Sequence, residues 1–369
     1  MRHPDVLVVG GGVVGAACAR ALSQRGSRVM LLDTGPQRGA ASLIAAGMLA
    51  PLAEAAAQDP MLGWAVRARD LYVELAPILL EETGVDIGIW TEGIMQLAFT
   101  EEEVAKTKSE VAWRRQSGFT SEWLSPDEVR EQAPGISKEV LGAAFAPEDG
   151  SVEPVALLEA MLKSAESKGT EIVRDQTVQQ VLVDGDRAEG VKTATETLYA
   201  GAVVIAAGAW SGRIGGMPRP LTVEPIKGQI AILDWPARER RTILYGAGGY
   251  VLTRGPQVIA GSTMEYVGFD ASTTDQGLSH IRETAARLYP SLEGAAIRNS
   301  RSGFRPMTPD GMPIVGPDPH LDRLWYATGH GRNGILLAGC TGELVAQLHA
   351  GEAVEYDLNP ISPSRFWDW

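Results

Sequence analysis

The 369-residue chain reads as an α/β protein: a Rossmann-type dinucleotide-binding domain with an interleaved α+β substrate domain built on a mainly antiparallel sheet. Three observations predict it. The apolar run Asp5 to Val9 leads through glycines Gly10 to Gly15 into small and apolar residues ending at Leu22, the order strand, turn, helix. Val-, Ile- and Tyr-rich runs broken by Pro and Gly occupy Leu221 to Thr263, as an antiparallel sheet covering a pocket requires. A second glycine turn, Gly329 to Gly334, stands between a strand-like run and a helical one near the C-terminus. A chain of this length also exceeds what one core normally organises.

The elements follow in order. Val29 to Leu32 is the second parallel strand and completes a βαβ unit. Pro60 to Thr83 has helical spacing through Leu62, Val66, Leu71, Leu75 and Leu79, and Gly93 to Phe99 has the content of a strand. Ser125, Pro126 and Glu128 mark a capped helix start. Glu153 to Lys168 is helical, short strands recur from Glu171 to Ile205, Thr274 to Leu288 is a helix, and Leu324 to Ala327 is a strand before the helix Ile335 to His349. We expect the dinucleotide domain over residues 1–83, 145–220 and 301–369, and the substrate domain over 84–144 and 221–300.

The net charge of −13 argues against nucleic acid or anionic lipid as partners, since both are gripped by clustered Lys and Arg. No apolar run reaches the ~18 residues that span a bilayer, so stable membrane insertion is not expected. The start lacks the pattern of a secretory signal. Cys18 and Cys340, the only cysteines, sit in apolar helical stretches and read as buried free thiols. A reduced, cytoplasmic setting is the expectation. No metal-ligand spacing, Ser-His-Asp set or pair of carboxylates stands out.

Gly10, Gly12 and Gly15 have the G-x-G-x-x-G spacing, flanking Val13 and Val14. The first glycine permits the turn out of the strand, the second lets backbone approach a pyrophosphate, and the third lets helix pack on strand. The helix N-terminus then faces the phosphates with unpaired N–H groups. Asp33, ending the second strand, is placed to accept from a ribose hydroxyl. NAD and FAD share this loop, so it establishes only a dinucleotide.

Further segments narrow the choice. Ser42 to Met48, Val203 to Ser211 around Gly208, Arg305-Pro306 ahead of Asp310 to Gly316, and Gly329 to Leu336 follow one another in this chain. With the loop, they resemble the flavoproteins of the D-amino-acid-oxidase family over nearly the whole chain. Within that family the resemblance is to the branch that oxidises glycine and is associated with making the thiazole of thiamine.

The resemblance implies FAD held against Gly10, Gly12, Val13, Val14, Gly15, Asp33, Thr34, Ala41, Ser42, Ala46, Gly47, Met48, Val178 and Gly208. The C-terminal turn, His330, Gly331, Arg332, Asn333, Gly334, Ile335 and Leu336, would add to the same site. There Gly331 and Gly334 can present N–H groups to the flavin's pyrimidine edge, where negative charge develops on reduction. Related sarcosine oxidases link flavin to a Cys near the positions of Phe304 and Arg305; none stands here, so non-covalent FAD is expected.

For the substrate, an Arg presents a rigid fork that matches a carboxylate. By resemblance Arg305 is the carboxylate-binding residue, Arg332 lines the site, and Tyr250 lies over the substrate. Two positions depart from the family: Gly248 stands where a His is frequent, and Ala50 where a relative has Gly. The implied reaction passes a hydride from Cα of the neutral amine to flavin N5 without an enzymic base, by orientation. Oxo acid, ammonia and, with oxygen as acceptor, hydrogen peroxide would result, from glycine, sarcosine or small D-amino acids. The resemblance also implies a homo-oligomer. The motifs leave open a dehydrogenase of the same fold that passes electrons to a quinone or a protein. A catalytically silent flavin-binding protein and an NAD-dependent dehydrogenase are the more distant alternatives.

Overall fold

A computed structural model describes residues 3–55, 59–217, 219–235 and 241–366. Residues 236–240 of the expected Leu221 to Thr263 sheet lie outside the described residues.

Strands Val6–Val9, Val29–Leu32 and Ala202–Ile205 are buried at every residue. Both faces of a parallel sheet are covered, which is why they read as unbroken apolar runs. They form the middle of a six-stranded sheet in the order Ile314–Pro317, Leu324–Thr328, Ala202–Ile205, Val6–Val9, Val29–Leu32, Glu171–Val173. All neighbours are parallel except the first pair. Helix Val13–Gln24 packs on one face between Gly334–His349 and Pro154–Ser167. Where the first two helices meet, a Cβ on Gly342 would stand 2.5 Å from the Ala17 carbonyl oxygen. Only glycine allows that approach.

The second sheet has eight strands in the order Ile297–Met307, Glu224–Asp234, Gln257–Gly261, Gly249–Arg254, Ile243–Gly246, Ile94–Ala98, Gly142–Ala146, Glu122–Leu124. It is antiparallel apart from one pair, Ile243–Gly246 with Ile94–Ala98. The expected boundaries at 144/145 and 300/301 fall inside two of its strands. Period two then assigns the faces. Arg305 pairs with Ile226, Gly303 with Gly228, Ile230 with Gly261, Gly261 with Tyr250, and Tyr250 with Tyr245. All therefore share one face, and helix Asp275–Leu288 covers the other.

Two reciprocal capping boxes flank this sheet. The expected one holds: Ser125 accepts from the Glu128 N–H and the Glu128 carboxylate from the Ser125 N–H. The other, Thr100 with Glu103, opens helix Glu101–Gln116, which the sequence reading passed over. Its buried residues are only Thr107, Val111 and Arg114, too thin an apolar stripe for periodicity to register.

A buried ion pair joins the chain's early part to the sheet. Asp149, fully buried, accepts from Arg69 Nη1 at 3.1 Å and from the Leu52 and Ala53 N–H groups at 3.0 and 2.8 Å. It thereby pins the short helix Pro51–Glu54. Burial pushes this carboxyl up to about 7 despite its donors. Removing one member of such a pair leaves the other uncompensated, so Arg69→Met should lower unfolding free energy at pH 8 by about 3–5 kcal/mol. Urea midpoints of the two proteins at equal m-value check this; a loss below 1 kcal/mol would show that Asp149 does not need Arg69.

Candidate active site

A cleft of about 600 Å³ runs from the Gly10 turn, between the two sheets, to Arg305, Tyr250 and Arg332. At its first end Gly10 has φ +110, and a Cβ there would lie 2.5 Å from the Ala206 carbonyl oxygen. A Cβ on Gly15 would collide with the Gly10 carbonyl oxygen, so Gly15 lies beneath the cleft and lets the helix close on the turn. Gly11, which was assigned no role from sequence, is needed too: its Cβ would stand 2.6 Å from Asp33 Cγ. The Val13 N–H donates to Ser42 Oγ at 3.1 Å. The helix has no side-chain cap at Gly12, which leaves further first-turn N–H groups for an anion. A glycine cradle, a helix N-terminus and a carboxylate at the second strand's end suit a dinucleotide's pyrophosphate and ribose.

Along the cleft, Thr34, Ala41, Ala46, Gly47, Met48 and Val178 line the walls, as do Gly208 and the turn from His330 to Ile335. The structure brings these predicted residues together. Leu336 is the exception, 3% exposed within the helix-packed core. Its place on the inner side of helix Gly334–His349 turns it from the cleft. The turn also differs in detail. The Gly331 N–H donates to the Pro306 carbonyl at 2.8 Å and the Asn333 N–H to that of His330 at 2.9 Å, so neither is free for flavin. The N–H groups of Gly334 and Ile335, which open a helix with no side-chain cap, are the available donors. His330 sends its ring away from the cleft, Nε2 lying 3.0 Å from Thr341 Oγ1, and burial drives its pKa down to about 3.

Arg305 closes the far end. Its Nη2 donates to Ser262 Oγ at 2.7 Å and its Nη1 to the Thr263 carbonyl at 3.2 Å. The fork lies over Gly228, where a Cβ would strike it. No carboxylate among the described residues pairs with it. Burial depresses its pKa, with the neighbouring Arg332 acting in the same direction. Tyr250 is 7% exposed, and burial, countered by Arg305 and Arg332, pushes its phenol up to about 12. Arg332 is half-exposed and pairs with Glu54 at 3.1 Å.

Sequence reasoning missed Glu54, Ser262 and Tyr245 at this end, and Gln176 and Arg213 nearer the loop. Only Glu54 left a signal, since Pro51 three residues earlier marks a helix start. Ser262 and Tyr245 reach Arg305 and Glu54 through strand pairing, which no local pattern records. Cys18 and Cys340 are buried away from the cleft, and burial pushes both thiols up to about 12. Among the described residues no cluster suited to a metal occurs, and no helix is long and apolar enough to cross a membrane.

The profile of the DAO family of FAD-dependent oxidoreductases matches residues 5–348. The chain belongs to this family, and FAD is its cofactor. A glycine oxidase from Geobacillus kaustophilus (strain HTA426) is 36% identical over 365 residues, 98% of this chain and 97% of that one. A crystal structure of glycine oxidase from Geobacillus kaustophilus matches with a TM-score of 0.94 at 35% identity, covering 99% of each chain. The bifunctional protein ThiO/ThiG of Nostoc sp. (strain PCC 7120) is 36% identical over 97% of this chain, which spans 54% of that relative.

The His330 environment has a measurable consequence. Its pKa is about 3 folded against ~6.5 unfolded, so below pH 6.5 the unfolded chain gains a proton that the folded one refuses. Folding stability should fall as pH drops from 6.5 towards 3. Between pH 7 and 5, His330→Gln should lose less stability than the parent, by more than about 1 kcal/mol. Parallel urea titrations giving equal pH slopes would show that His330 takes its proton in the fold.

Proposed function

We propose that this protein oxidises the amine of a small amino acid, glycine, sarcosine or a small D-amino acid, to the oxo acid and ammonia. Water hydrolyses the imine, oxygen is the electron acceptor and leaves as hydrogen peroxide, and the reaction supplies the thiazole branch of thiamine synthesis. The observation that carries this reading is Arg305: a half-buried cation without a carboxylate partner among the described residues, set at the end of the cleft in a chain of net charge −13. Such a site selects a small anion against the global field. The similarity to glycine oxidases across nearly the full chain supports the amine.

FAD, when bound, supplies the acceptor for the hydride leaving Cα. This chain's residues do the rest by placement. Arg305 holds the carboxylate, and Ser262 Oγ with the Thr263 carbonyl fix the plane of its fork. Tyr250, whose hydroxyl makes no hydrogen bond within the described protein, is free to donate to the substrate and stays protonated. His330 faces Thr341 and takes no part in proton transfer. The residues named along the cleft hold FAD without a covalent bond, Cys18 and Cys340 lying elsewhere. The dinucleotide domain is assembled from discontinuous stretches around an interleaved substrate domain, and the protein works in the cytoplasm as a homo-oligomer.

Two measurements test this. Anaerobic glycine should bleach the flavin, and admission of air should restore it with stoichiometric peroxide. Slow recovery without peroxide would instead assign a dehydrogenase serving a quinone or protein acceptor. Arg305→Ala should keep FAD while losing about 2–4 kcal/mol of substrate binding, a shift of roughly 30- to 1000-fold in the amino acid needed for half reduction. An unaltered dependence would place the carboxylate elsewhere.

A further inference from the structure

Two arginines meet at the substrate end, and they differ in what stands beside them. Arg332 Nη2 lies 3.1 Å from Glu54 Oε1, and the Tyr245 hydroxyl donates to the same oxygen at 2.5 Å. Among the described residues, Arg305 is bound by Ser262 Oγ and the Thr263 carbonyl. Glu54 is firmly placed, because the helix that ends on it starts on the Leu52 and Ala53 N–H bonds to Asp149, itself held by Arg69.

Size is not the filter on this side. A second chamber of about 450 Å³ shares Tyr250, Ser262, Arg305 and Arg332 with the cleft. At Gly248, φ +86, no heavy atom lies within 4 Å of where a Cβ would be, so nothing fills the space there. Of the chamber's other charged groups, Glu103 caps its own helix, and Lys106, 73% exposed, lies 4.0 Å from Glu110.

We infer that Glu54 sets the charge selectivity of the site: by neutralising Arg332 it confines binding to amino acids with one carboxylate and a neutral substituent, which the chamber accommodates, and it rejects a second carboxylate. A second anion would compete with Glu54 for Arg332 and sit beside that carboxylate, which would keep only its Tyr245 hydrogen bond. This is discrimination by an unfavourable contact with the wrong ligand. The inference rests on the reading of Arg305 as the carboxylate site.

Acetate and malonate, which this chemistry cannot oxidise, probe it in the FAD-loaded enzyme through the flavin absorption spectrum. In Glu54→Gln the ratio of malonate to acetate dissociation constants should fall at least tenfold, and Glu54→Gln/Arg332→Gln should abolish that gain. An unchanged ratio in Glu54→Gln with its flavin bound overturns the inference. Should Glu54→Gln not retain FAD, Arg332→Gln alone gives the opposite arm: uncovering Glu54 should raise the ratio at least threefold, and no rise overturns it. Failure of acetate to perturb the parent's spectrum would remove Arg305 as the carboxylate site and this inference with it. Failure of glycine to bleach the flavin while both probes bind would instead count against the oxidation reading alone.

Discussion

Everything in this protein depends on how closely backbone can approach backbone at the end of strand Val6–Val9. The helix Val13–Gln24 can aim its N-terminus into the cleft only because Gly15 sits against the Gly10 carbonyl and Gly10 against Ala206. A single methyl at either point would push the helix away from the sheet. The same helix is gripped from behind by Gly342 against Ala17, so the positive helix end is wedged in position from two sides. Cofactor affinity and core packing are thus one constraint, and it is set by missing side chains.

The antiparallel sheet solves a complementary problem. It must bring a long cation and two tyrosines to one wall without filling the cleft. Alternation places Arg305, Tyr250 and Tyr245 on that wall, and the residues that share the face include Gly228, Gly261 and Gly303. Each glycine clears a neighbour: a Cβ on Gly228 would strike the Arg305 fork, one on Gly261 would stand 2.7 Å from the Tyr250 hydroxyl, and one on Gly303 3.1 Å from the Ile44 side chain. The large polar side chains lie flat because the positions beneath them are empty. A flat, backed guanidinium has fewer arrangements to lose on binding a carboxylate.

What was legible in the sequence follows from this division. The βαβ unit is local, so Gly10, Gly12 and Asp33 could be placed from spacing, while Gly334, visible as a turn into a helix, was tied to flavin by resemblance; the parallel strands announced themselves as unbroken apolar runs. Arg305 and Tyr250 were found by resemblance, since their meeting depends on strand order, which spacing does not encode. Glu54, Ser262 and Tyr245 stayed hidden for the same reason. Within the turn, the direction of each N–H was beyond reach: Gly331 looked like a donor to flavin, but the neighbouring strand's Pro306 carbonyl takes its hydrogen. The Leu336 side chain turns into the core because successive helical residues point ~100° apart within a motif that sequence reads as one unit.

The electrostatics of the site also need the interior. A chain of net charge −13 could set a carboxylate against any cation, and at Arg332 it places Glu54 3.1 Å away. Arg305 escapes because its near neighbours on the wall are glycines, a serine hydroxyl and a carbonyl, groups that orient a guanidinium without cancelling it. The two arginines differ, then, in what the fold delivers beside them. Glu54 arrives on a helix whose N–H groups are tied to Asp149, and Asp149 is tolerable in the core because Arg69 stands against it. A buried ion pair with no contact to the cleft therefore decides which arginine in the cleft remains a charge for the substrate to meet.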